Sequence, residues 1–193
     1  MEKNRLEAFS DGVLAIVITI MVLEIKVPHG AEWSELNELI PKFLSYILSF
    51  MYIGIYWGNH HHLLHTARRV YSDIMLANLN LLFWLSLIPF ATGWMGENHF
   101  EKNPVILYAV SLLLCGISYN ILQMTIERHH EGDNKLAEIF AGQTRKGLIS
   151  LVAYSSAIAF AFYNTLISGV LFFAVAIMWL IPDKNIERFF NDK

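Results

Sequence analysis

The chain has 193 residues, 55% hydrophobic and only 16% charged, with a net charge of −3 and a positive mean hydropathy. A soluble domain carries about 25% charged residues, so the composition excludes one and predicts an integral membrane protein. The small net charge argues against a nucleic-acid partner, and a single cysteine, Cys115, excludes an intrachain disulfide.

Charges and turn residues divide the chain into six apolar segments, which predicts an all-α bundle of six transmembrane helices forming one domain over residues 1–193. No signal peptide is expected, because no small-residue cleavage site follows the first apolar run. Helix 1 is expected from about residue 5 to 27, stopping at Pro28-His29-Gly30. Its uncharged stretch, Gly12 to Leu23, is only twelve residues long. A spanning helix needs about 20 apolar residues, so Arg5, Asp11 and Glu24 must sit near or within membrane depth. Ionisable groups at that depth face a bundle interior or a water-filled cavity, which makes helix 1 the first suspect for a pathway lining. Ser10-Asp11 also has a purely structural reading, as a cap for free backbone N–H groups. Ile16, Ile20 and Leu23 form a stripe at i, i+4, i+7, and Thr19 interrupts another. Periodicity leaves open whether that stripe faces a pore, a neighbouring helix or lipid.

The segment Ala31 to Lys42 is polar, with Trp33 where an interfacial anchor would sit. Helix 2 is expected over about 43–65 and closes on Trp57, Asn59, His60, His61, His62 and His65. Helix 3, about 74–96, carries Pro89 as a kink. Helix 4, about 104–126, begins with a favourable first-turn proline, Pro104, and is followed by Glu127, His129, His130 and Glu131. His61 and His65 have metal-ligand spacing on a helix. Neither histidine group carries a complete ligand set, so the alternative is a hydrogen-bonded network with interfacial residues, and no metal is expected.

Gly147 to Pro182 is uncharged over 36 residues. At helical rise that is about 54 Å, against a hydrocarbon core of about 30 Å. It therefore reads as two short helices, about 147–162 and 165–181, turning at Tyr163-Asn164. The N-terminus, the 2–3 loop, the 4–5 loop and the C-terminus hold eleven of the fourteen Lys and Arg residues; Lys26, Lys42 and Lys102 fall on the other side. Both termini are thus predicted cytoplasmic. No Thr-Val-Gly-Tyr-Gly stretch exists to build a carbonyl filter. Phosphate-binding glycine loops and Ser/His/Asp arrangements are likewise not evident, so no enzyme is expected.

Arg5-x-x-x-Phe9-Ser10-Asp11, followed by Gly12-Val13-Leu14-Ala15-Ile16 and Leu23-Glu24, resembles the signature of the transmembrane protein 175 family, potassium channels of endosomes and lysosomes and their prokaryotic relatives. Trp57-x-x-His60-His61 and Asn80-Leu-Leu-Phe83 through Pro89 resemble the family's second and third helices. The resemblance implies a six-helix subunit without the usual filter. The animal protein has two such repeats and dimerises, whereas prokaryotic members have one and form tetramers. A homotetramer with helix 1 of each subunit around a central axis is therefore implied.

Carried over from the motif aspartate, the pore-constricting positions are Ile16, Ile20 and Leu23, with Ile20 in place of a frequent leucine, and Thr19 is the polar pore position. The resemblance further implies that Arg5, Phe9, Ser10 and Asp11 hold helix 1 through Trp57, His61 and Asn80. The expectation is a plasma-membrane, multi-pass cation channel favouring potassium over sodium, with potassium ions and membrane lipid as partners and no cofactor. Asp11 inside and Glu24 outside would supply pore-mouth charge. The alternatives are a proton-coupled transporter or proton leak, and a His-ligated metal-dependent membrane enzyme.

Overall fold

The computed structural model describes residues 2–67, 69–129 and 134–181, with 134–139 as backbone alone. Every regular element among the described residues is helical: α1 Lys3–Leu23, a 3-10 turn Trp33–Leu39, α2 Ile40–Thr66, α3 Ser72–Ser86, α4 Ile88–Glu97, α5 Lys102–Arg128, α6 Asn134–Phe160 and α7 Thr165–Leu180. Because α3 and α4 form one broken rod, the seven helices make six membrane-type units. Among the described residues, four stretches are long and apolar enough to cross a bilayer: Lys3–Leu23, Trp33–Thr66, Ser72–Glu97 and Lys102–Arg128. Thr165–Leu180 is a shorter apolar helix.

Helix α1 ends at Leu23 rather than near residue 27. The Ile25 N–H closes back on the Val22 carbonyl at 3.1 Å, and charged Glu24 and Lys26 then lead into Pro28, which cannot continue a helix. Helix α2 begins three residues before the expected boundary, at Ile40. Pro41 lies in its first turn, where its missing N–H costs nothing. Trp33, 85% exposed, stands on the lead-in turn.

The break in the third unit falls at Leu87, two residues before Pro89. Pro89 has no N–H to donate into the preceding turn and sits instead in the first turn of α4. The last hairpin turns where the uncharged stretch suggested. Asn164 caps α7 by accepting from the Leu166 N–H at 2.9 Å. Helix α6, in contrast, starts at Asn134, well before residue 147. The sequence between is polar but rich in Ala, Leu, Lys, Arg and Gln, which favour helix, so the helix extends beyond its apolar part.

Helix α5 is the centre of the bundle, packed against α3, α4, α6 and α7. Tyr108, Ala109, Leu112, Cys115 and Leu122 on it are fully buried, and Cys115 acts as a small apolar packing residue. Helix α1 lies at the edge of this bundle, touching α2, α3 and α4. That edge position leaves one side of α1 uncovered.

Candidate functional site

Helix α1 has two faces of opposite character. Leu6, Ser10, Leu14, Val17 and Met21 are buried, at steps of four, four, three and four residues, so they form one stripe. About a third of a turn around the helix, Phe9, Ile16, Ile20 and Leu23 form a second stripe, and it is exposed. Ile16 is 59% exposed, Ile20 41% and Leu23 73%, although these are the residues that water should repel most. The stripe that periodicity could not orient is thus one that the rest of the chain leaves exposed. Thr19 is exposed beside it and turns its hydroxyl back to the Ala15 carbonyl at 2.8 Å, which leaves oxygen lone pairs directed outward.

Between α1 and α4, the second half of the third unit, runs an open groove of about 550 Å³, lined by Ile16, Ile20, Glu24, Phe90, Trp94 and Glu97 among others. The break at Leu87 swings α4 alongside α1 to form it. Lys42 reaches Glu97 from α2, with Nζ and Oε1 3.3 Å apart. Glu24 stands exposed at the end of α1 with its carboxylate toward Gly93. Asp11, at the start of the uncharged stretch within α1, accepts the Trp57 indole N–H at 3.0 Å. The two carboxylates bracket about 20 Å of helix at the usual rise.

A second set of bonds holds α1 from its buried side. Ser10 donates to the Leu6 carbonyl at 2.9 Å, and Asn78 on α3 donates its amide to Ser10 Oγ at 3.0 Å. The Asn78 amide oxygen lies 2.6 Å from His60 Nε2. That oxygen can only accept, so His60 Nε2 carries the hydrogen. Ser10, His60 and Asn78 are all buried, and a buried polar group left unpaired is costly, so the three fix one arrangement of α1, α2 and α3. Lys3 adds a clasp at the helix end, donating to the His65 carbonyl at 2.9 Å.

The structure therefore corrects part of the expected network. Asp11, Trp57 and Ser10 take part in it, but His60 and Asn78 replace His61 and Asn80. Neighbours two apart on a helix differ by about 200°, so Asn78 and Asn80 cannot both face α1. Asn80 instead donates to Ser118 Oγ on α5 at 2.8 Å. His61 is exposed, its ring 6.1 Å from that of His65. Arg5 and Phe9 are exposed on the same side of α1 as Ile16 and stand apart from the bonded set. The missed residues did carry a signal: Asn78 lies on the buried stripe of Ile74, Leu81, Leu82 and Leu85, and His60 lies three and four residues before buried Leu63 and Leu64.

The two histidine groups are not brought together as one centre. His129 Nε2 pairs with Asp73 Oδ2 at 2.9 Å and stacks on Tyr71 with ring centres 4.1 Å apart; His130 and Glu131 lie outside the described residues. Among the described residues no group of three or more His, Cys, Asp or Glu is placed to hold a metal ion.

The family model described as the endosomal/lysosomal potassium channel TMEM175 matches residues 5–89. A potassium channel of Chryseobacterium sp. is 50% identical over 188 residues, covering 97% of this chain and 97% of its own. The human endosomal/lysosomal proton channel TMEM175 is 26% identical over 184 residues, which is 86% of this chain and 36% of the human one. The crystal structure of a lysosomal potassium-selective channel TMEM175 homolog from Chamaesiphon minutus is similar with a TM-score of 0.81 at 30% identity, covering 93% of this chain and 97% of that one.

Proposed function

The chain belongs to the TMEM175 channel family, and on that premise we propose that it forms a homotetrameric, potassium-selective channel with α1 of each subunit lining a central pore. The observation that carries this reading is the uncovered apolar face of α1. Four copies of that face around an axis would give rings of Ile16, Ile20 and Leu23, with Thr19 beside them. A narrow apolar ring selects by the cost of shedding hydration, which is smaller for potassium than for sodium. The same ring closes the path by dewetting when it narrows. Asp11 and Glu24 raise the local cation concentration at the two mouths, both termini lie on the cytoplasmic side of the plasma membrane, and no cofactor takes part.

Reconstituted protein in liposomes with a potassium gradient tests the reading. Flux driven by the gradient alone, larger for potassium than for sodium, is expected. Flux that requires a chemical co-substrate, or none at all from correctly assembled protein, overturns it. Proton passage through the same throat is the second reading, favoured by the name of the human relative. A pH-sensitive dye inside the same liposomes separates the two.

A further inference from the structure

The histidines that close α2 have two different environments. His60 is buried and committed to Asn78. His61, His62 and His65 are exposed at the helix end. The rings of His61 and His65 lie one turn apart and nearly parallel, with centres 6.1 Å apart and planes inclined by 24°. The His62 ring is 5.8 Å from that of His61 but turned by 65°. The channel reading uses none of these three side chains.

We propose that His61 and His65 form a surface site for one divalent transition-metal ion of the zinc, nickel or copper class. Imidazole nitrogen suits these borderline ions, whereas magnesium and calcium prefer oxygen ligands. Zinc bonds imidazole nitrogen at about 2.0–2.1 Å, so two rings sharing a tetrahedral ion have centres roughly 5 Å apart. The observed spacing is close to that, and side-chain rotation alone closes the difference. Water fills the remaining coordination positions. Exposure helps here, because the ion need not lose its whole hydration shell. His62 points its ring plane elsewhere and is not a ligand.

The Lys3 clasp onto the His65 carbonyl, at 2.9 Å, puts the site where the root of α1 meets the end of α2. Binding itself does not depend on the channel reading.

Isothermal titration of zinc chloride into the purified full chain, carrying no polyhistidine tag, tests the proposal. One ion per chain is expected to bind saturably. His61→Asn and His65→Asn should each weaken binding at least about tenfold, the scale on which even outer-shell changes act at metal sites. His62→Asn should leave it unchanged. Each variant is first shown to elute and melt like the parent, as expected for exposed side chains. No saturable binding, equal binding in both ligand variants, or an equal loss in His62→Asn overturns the assignment.

Discussion

Trp57 donates its indole N–H to the Asp11 carboxylate across 3.0 Å, so a residue of α2 braces α1 where its apolar run begins. Trp57 is 51% exposed, which puts the bond nearer the weak end of the range for charged partners. Trp57→Phe keeps most of the ring area and deletes the donor. A loss of about 1 kcal/mol is expected, seen as a melting point lower by about 2–4 °C in detergent. An unchanged melting curve would show that the bond contributes nothing to holding α1.

Asn78 and Asn80 differ by two positions and should behave differently. Asn78→Ala leaves buried Ser10 without its donor and strands the buried His60 N–H, at about 1–3 kcal/mol for each abandoned group. Asn80→Ala strands only Ser118, which Asn80 reaches from the other face of α3, and about 1 kcal/mol is expected. Thermal melts of the two variants side by side decide the matter, and equal losses would contradict the bonding described.

Ile16 and Val17 are adjacent, about 100° apart around the helix, yet 59% and 3% exposed. Ile16→Asn should change subunit stability by no more than about 0.5 kcal/mol, as for other exposed positions. It should also raise conductance or weaken potassium preference in liposome flux. Val17→Asn buries an unpaired amide and should cost roughly 2 kcal/mol or more. Flux from the Ile16 variant that matches the parent's would remove Ile16 from the constriction.

Gly96 and Gly169 test packing in α4 and in α7. A Cβ at Gly96 would meet Ser45 Oγ and come within 2.9 Å of the Lys42 Cα, which is backbone and cannot swing away. Gly96→Ala is therefore expected to destabilise by about 1–3 kcal/mol. A Cβ at Gly169 meets nothing within 4 Å, and Gly169→Ala should be neutral or stabilising by up to about 1 kcal/mol through helix propensity. Denaturation of the two variants in one detergent gives the comparison.

What the sequence made legible was governed by strong local chemistry. Pro89 cannot donate and had to break its helix, and 36 uncharged residues could not cross a bilayer once. Gly147 onward therefore folded back near Tyr163. The start of α6 was not legible, because a polar helix leaving the membrane looks like a loop to a reading based on hydropathy. The partners of Ser10 were half legible. An amide on α3 and an imidazole on α2 were the right chemistry, but adjacent candidates such as His60 and His61 differ only in which side of a helix they occupy. That choice is set by tertiary packing. The uncovered side of α1 belongs to the same class: all its faces are apolar, and only the position of α1 at the edge of the bundle distinguishes them.

Helix α7 has 16 residues, which span about 24 Å, whereas a typical hydrocarbon core is about 30 Å thick. Helix α7 therefore falls several ångströms short of such a core. Either the adjacent bilayer thins or the residues flanking α7 are drawn inward, at a cost of fractions of a kcal/mol per Å. A bilayer of shorter acyl chains should therefore match α7 better than a thick one.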